Sequence, residues 1–327
     1  MTTALPEHTA IAEDLVCFGV GEKSTLPVYG IIHRPFPTNP RKPDARKTVG
    51  VVLLGGWSGT RVGPHGILVS MARVLAAAGF PALRFDFRGR GDSGGEQRSA
   101  HIGTMVEDTR AAAQYLREKT GVESILLIGI CAGAQVALGA APGISALSGM
   151  ALWSPPPLHP DPVPASDSGA TAPTVRSTRS KRRLISLLKV YGARLFDSRT
   201  WAKLAHGQLQ PRTILRVLKG GDARKLRGAS AGSTAETDWA GPKPDERTYE
   251  LALSTLTTPA LFVYGGADPE RQESIDYYAR VGAAFVEHAR IHVVEGSNHA
   301  FYSLAWKREV VRETLVWIQE LCSESCT

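Results

Sequence analysis

The residues best equipped for chemistry in this chain are a thiol, a carboxylate and an imidazole, met in that order. Gly129-Ile130-Cys131-Ala132-Gly133 sets a cysteine between glycines two positions away on either side. A nucleophile mounted on a sharp strand-to-helix turn needs a strained backbone, and only very small residues tolerate the crowding this creates at those two positions. The flanks have the required character: Ile125–Ile130 reads as a buried strand and Ala132–Gly139 as a small-residue helix. The positive end of such a helix favours a thiolate over a thiol. Taken alone, the pentapeptide fits a buried structural cysteine at a Gly/Ala-rich junction equally well, so the rest of the pattern has to decide.

A cysteine nucleophile needs a base within reach and a group that orients the base. Leu261–Asp268 reads as a strand, a glycine turn and an aspartate. Ile291–Val294 reads as a strand, followed by a loop that ends at His299. Cys131, Asp268 and His299 thus stand in the order nucleophile, acid, base, each expected at the C-terminal end of a strand, where open α/β sheets build their sites. Glu270 is the substitute for Asp268, although it falls at a helix start, where an acid serves the helix dipole. The other histidines, His33 in a strand and His292 in another among them, read as surface or packing residues. An oxyanion would be held by the backbone N–H of Ala132 and by one at the turn Leu54-Gly55-Gly56-Trp57, with Trp57 the choice and Ser58 the alternative. Ser58, Arg61 and His65 are candidate pocket residues. The Gly-rich run Asp86–Ser93 reads as a structural turn tied by its own Asp and Arg. No Lys-Ser/Thr follows it, so it is not a phosphate loop.

The elements that must position these residues follow from periodicity. Leu15–Val20 and Val28–His33 form a hairpin pair; Thr48–Leu54, Pro81–Phe87, Ser124–Ile130 and Met150–Trp153 are strands; Ile67–Ala78 and Thr104–Lys119 are amphipathic helices. Apolar strands alternating with helices predict a mostly parallel, doubly wound sheet. From Pro155 the pattern breaks into a Pro/Ser/Ala/Thr-rich stretch, basic helical segments and a polar Gly-rich run, before the sheet resumes at Ala260–Tyr264 and Arg290–Val294 and ends with a helix over about Trp306–Leu321. The expected organisation is a core of 1–154 and 246–327 interrupted by a helical cap insertion, 155–245.

Composition excludes more than it selects. The chain of 327 residues, 43% hydrophobic, is long enough for a large buried core. Its four cysteines (Cys17, Cys131, Cys322, Cys326) show no metal-site or disulfide spacing, and the last two fall in a polar tail expected to fray. No metal and no cofactor are implied. There is no signal-peptide pattern and no membrane span, which makes a cytoplasmic enzyme the expectation. The formal net charge of +7 sits partly in Arg176, Arg179, Lys181, Arg182 and Arg183. That cluster lacks interleaved aromatics, so it does not indicate nucleic acid.

The turn Asp86–Ser93, the cysteine elbow and Gly296–His299 resemble the α/β-hydrolase superfamily, and the resemblance spans roughly Leu15–Trp153 and Thr257–Leu321. The elbow resembles those of dienelactone hydrolases and polyhydroxyalkanoate synthases. More narrowly, Gly55–His65, Arg73–Gly79, Arg84–Ser93 and Tyr191–Leu209 are similar to the exosortase A system-associated hydrolases, from which the compact Ala132-Gly133-Ala134 departs. The resemblance implies the α/β-hydrolase fold and a Cys-His-Asp triad. The expected reaction is hydrolysis of a small-molecule acyl ester or thioester. The alternative is an acyltransferase or cyclase, its basic cap cluster docking coenzyme A or an acyl carrier protein. A degenerate fold used only for binding is disfavoured by the intact order of the three residues.

Overall fold

The computed structural model describes residues 11–21, 25–35, 48–97, 100–157, 253–254, 256–287 and 289–324. The expected cap insertion, the basic cluster and Cys326 lie outside them, apart from the first residues of the insertion (155–157).

The described residues form an eight-stranded sheet. Its strands are β1 (Ile11–Val20), β2 (Leu26–Pro35), β3 (Val49–Leu54), β4 (Ala82–Phe85), β5 (Ser124–Ile130), β6 (Leu147–Trp153), β7 (Ala260–Gly265) and β8 (Ala289–Val294), arranged in the order β1-β2-β4-β3-β5-β6-β7-β8. From β4 to β8 neighbouring strands are parallel, while β2 runs antiparallel to both β1 and β4. The chain passes from β3 to β4 on one side and returns to place β5 on the other. The order therefore reverses beside β3, and it is at the carboxyl ends of the strands flanking such a reversal, here β3 and β5, that open α/β sheets build a binding crevice.

The alternation of side chains explains how the sheet is buried on both faces. Val49, Val51 and Leu53 of β3 join one apolar cluster, with Leu126, Ile128 and Ile130 of β5. Val52 and Leu54 join the other, with Ile125 and Leu127. Helices α2 (Ile102–Thr120) and α3 (Ala132–Ala140) cover one face; α1 (Ile67–Ala77) and α6 (Leu304–Glu324) cover the other. Between β7 and β8 lie α4 (Arg271–Val281) and α5 (Ala283–Glu287). Burying one side chain of Leu or Phe size contributes about 1.5–3 kcal/mol, so two such clusters dominate the scaffold's stability. The indole of buried Trp153 also needs a polar partner, and it donates to Thr314 Oγ1 at 3.0 Å, which ties α6 to β6.

One expectation needs correction, and one is sharpened. The last helix runs on to Glu324, and Cys322 packs against the core instead of lying in a frayed tail. Of the two readings for His33, surface or packing, the structure takes the second. His33 is fully buried and accepts a hydrogen bond at Nε2 from Arg84 Nε, 2.8 Å away. Nδ1 therefore carries the proton and faces Glu13 at 3.5 Å, while Glu13 pairs with Arg73 at 2.7 Å. Burial, and then the Arg84 charge, push the His33 pKa down to about 4, so the ring is neutral in this charged row.

Candidate active site

Cys131 sits where β5 meets α3 with φ 55 and ψ −124, a left-handed backbone that a residue with a Cβ rarely adopts. The two glycines make this turn possible. A Cβ on Gly129 would lie 2.3 Å from the Gly133 carbonyl oxygen, and one on Gly133 would lie 2.5 Å from that of Leu54. The backbone around the cysteine is fully used: its N–H donates to Trp153 O at 2.8 Å, and its carbonyl accepts from Ala134 at 2.9 Å. The half-buried thiol stands at the N-terminal end of α3.

The carboxylate and the imidazole come from loops that glycine allows to close on one another. A Cβ on Gly265 would lie 2.5 Å from the Asn298 carbonyl oxygen, and Ala267 N–H donates to Ser297 O at 2.8 Å. The turn after β7 therefore lies directly on the loop after β8. Asp268, 8% exposed, receives the Glu270 N–H on Oδ1 at 3.1 Å and His299 Nδ1 on Oδ2 at 2.8 Å. A carboxylate only accepts, so Nδ1 is the protonated nitrogen and Nε2 is left for a second partner. Hydrogen bonding to Asp268, followed by that to Cys131, outweighs burial and pushes the His299 pKa from the usual 6.5 up to about 10. The structure thus joins Asp268 to His299 directly, and the Cys131 thiol lies near enough to the ring to help hold its proton. Glu270, the substitute, is the exposed cap residue of α4 and makes no bond to the ring.

The loop after β3 borders the same crevice. A Cβ built on Gly56 would come within 3.6 Å of Cys131 Cβ, so Trp57 follows immediately beside the elbow, and Ala132 begins α3. Ser58 is exposed. His65 has φ 50 and stacks edge-on against Tyr302 with ring centroids 4.1 Å apart, which links this loop to the one carrying His299. Arg61, a candidate for lining the pocket, is engaged elsewhere: its guanidinium pairs with Asp86 and, at 2.5 Å, with Asp92.

The turn Asp86–Ser93 is held from outside as well as from within. Arg88 Nε and N–H donate to the two oxygens of fully buried Asp108 at 2.7 and 2.9 Å. Arg90 is 7% exposed and lies over the Trp57 ring at 5.2 Å, and its Nε has no hydrogen-bond partner among the described residues. Periodicity could not reveal these partners, although a lone arginine in the buried strand Ala82-Leu83-Arg84-Phe85 was a visible signal. Among the described residues no three His, Cys, Asp or Glu side chains group as metal ligands, and no helix is long and apolar enough to cross a membrane.

A mostly parallel sheet wrapped by helices, with a strained strand-to-helix turn at its switch point and an Asp–His pair past the ends of β7 and β8, defines an α/β-hydrolase. The chain belongs to the alpha/beta hydrolase family, whose model matches residues 51–313. It is 25% identical over 302 residues to the uncharacterized Escherichia coli protein YcjY, covering 87% of this chain and 90% of that one. Among solved structures it resembles an esterase of Pyrococcus furiosus, at a TM-score of 0.59 and 14% identity over 95% of this chain and 91% of the other. It also resembles a dienelactone hydrolase homologue from Klebsiella pneumoniae, at 0.53 and 15% over 94% and 98%. At such identities these structural likenesses speak for the fold.

Proposed function

We propose that this α/β-family hydrolase cleaves small-molecule acyl esters or thioesters through a covalent acyl-cysteine on Cys131, with His299 as the base and Asp268 orienting it. The observation that carries the reading is the strained backbone of Cys131 facing an imidazole whose far nitrogen is bonded to Asp268 at 2.8 Å. The Cys131 sulfur attacks the acyl carbon as a thiolate and forms the C–S bond while the carbonyl electrons move onto oxygen. The N–H groups of Ala132 and Trp57 receive that oxyanion. As it collapses, His299 gives its Nε2 proton to the departing alkoxide or thiolate. Water then adds to the acyl-cysteine, with His299 taking its proton, and the acid leaves as the C–S bond breaks. Asp268 holds the tautomer that presents Nε2 at each step and stabilises the imidazolium.

The acyltransferase or cyclase alternative shares the first half of this sequence and differs in the acceptor. The basic cluster that would favour it lies outside the described residues. The likeness to exosortase A system-associated hydrolases rests on sequence runs and names machinery, not a substrate. Intact-protein mass spectrometry of wild type and Cys131→Ala with a panel of acyl thioesters and activated esters separates the two. Rapid release of acid with little adduct supports hydrolysis. A Cys131-dependent adduct that persists in water and clears on addition of an amine, thiol or alcohol makes the enzyme a transferase. Acyl turnover retained by Cys131→Ala overturns both.

A further inference from the structure

We propose that Asp86 and Arg61 are positioning residues of the reaction: their clamp holds the loop after β3 so that the Trp57 N–H meets the oxyanion. This rests on the reading of Cys131 as nucleophile and goes beyond it by assigning a role to two residues away from the reacting atoms.

The geometry pins one residue of that loop from every side. Asp86 is 1% exposed. Its Oδ1 accepts the backbone N–H of Arg61 at 2.6 Å, and its Oδ2 accepts the Arg61 guanidinium and the Asp92 N–H at 3.2 Å. The second arm of the guanidinium reaches Asp92, and the Arg61 carbonyl accepts from buried Arg84 at 3.4 Å. The loop has no slack between this clamp and the strand. Gly59 N–H donates to Gly56 O at 3.0 Å, Gly63 N–H donates to Thr60 O at 2.9 Å, and the Thr60 carbonyl passes so close over Gly55 that a Cβ there would lie 3.3 Å away. Trp57 lies between the strand end, fixed beside Cys131, and Arg61, fixed by Asp86. A turn free at the Arg61 end could rotate its peptide planes without disturbing the sheet, and an N–H must lie about 2.7–3.1 Å from the oxyanion to stabilise it.

The β4 turn carrying Asp86 has further holds besides this clamp. Ser93 Oγ donates to Asp86 O at 2.7 Å and accepts Tyr29 N–H at 3.0 Å; Gly94 N–H donates to Pro27 O at 2.7 Å; Arg88 is held by Asp108. Loss of the Arg61 side chain leaves its backbone N–H on Asp86 but removes the bridge to Asp86 and Asp92, so it should loosen the loop after β3 while these other bonds keep the turn and the elbow in place.

The test compares two reactions of the same sulfur. Acylation by 4-nitrophenyl acetate passes through a tetrahedral oxyanion. Thiolation by methyl methanethiosulfonate occurs at sulfur, has no carbonyl, and needs only the Cys131–His299 pair. For Arg61→Met the acylation rate should fall about 10- to 100-fold, short of the loss of a whole oxyanion donor, while the thiolation rate stays within about twofold. Arg61→Lys keeps a charge beside Asp86 but cannot bridge to Asp92 as well, so it should fall between Met and wild type. It also decides the matter if the Met variant does not fold. An unchanged acylation rate, or equal losses in both reactions, overturns the proposal. Wild-type protein that labels at Cys131 with neither reagent instead overturns the nucleophile reading, which is a distinct outcome.

Discussion

The turns after β4 and β5 are both tight, rich in glycine and placed at the same edge of the sheet, yet they handle their polar side chains in opposite ways. At the β5 turn the glycines give up side-chain volume so that backbone can crowd around Cys131 at φ 55, and the thiol is left for the imidazole and the crevice. At the β4 turn Gly91, at φ 50, makes room for a carboxylate: a Cβ there would lie 2.2 Å from Asp86 Oδ2. Asp86 and Arg88 then turn their hydrogen bonds inward, onto Arg61 and Asp108. A glycine turn therefore says that something must approach closely. Whether the result is reactive or structural depends on how many partners its polar side chains have left.

The largest effect that could break this contrast is at the cysteine. Cys131→Ala should lower turnover by about 10⁴-fold or more, the scale found when the nucleophile of a triad is removed. Steady-state kinetics on an activated ester would show it, and retained turnover would remove the distinction between the two turns. Next comes Asp268→Asn, expected to cost about 10²-fold or more and to change the pH profile. Folding favours the protonated His299, so its contribution to stability is complete below about pH 6.5 and is lost as pH rises through about 10. Activity on substrates with poor leaving groups, which need the imidazolium proton, should follow the same upper limit in wild type. In Asp268→Asn the largest cause of the raised pKa is gone, and the limit should move toward neutral. A profile that does not move would mean that Asp268 does not govern the ring.

On the structural side, Asp108→Ala should destabilise the fold by about 3 kcal/mol, because it leaves Arg88 buried with only the exposed Glu107 for a partner. Denaturant unfolding would measure it. Arg90 is the exception within its turn, a buried cation resting on an indole, its Nε without a hydrogen-bond partner among the described residues. Arg90→Met should therefore stabilise the protein by about 1 kcal/mol, since an apolar chain of similar length removes the desolvation cost. A net loss of stability would show that the stacking on Trp57 outweighs that cost.

The site was legible in sequence where its physics is local. Gly129 and Gly133 are demanded by the sterics of a nucleophile turn, and these show in any five-residue window. Asp268 and His299 announced themselves as polar residues just past apolar strand runs. The partnerships were not legible. Arg61 appeared to face the pocket because its neighbours are polar loop residues, yet the carboxylate it meets is 25 positions away. His33 looked bland because nothing near it in the chain records Arg84, 51 positions on, reaching its Nε2.

The sequence by itself determined the order of strands and helices, the cysteine elbow and the chain order of nucleophile, acid and base, because periodicity and backbone crowding act between residues a few positions apart. The tertiary structure decided that Asp268 and not Glu270 meets His299, that Arg61 closes on Asp86, and that His33 stays neutral in its buried place on β2. Each of those outcomes is set by desolvation and by which distant charges share a buried space, and neither exists until the strands have packed.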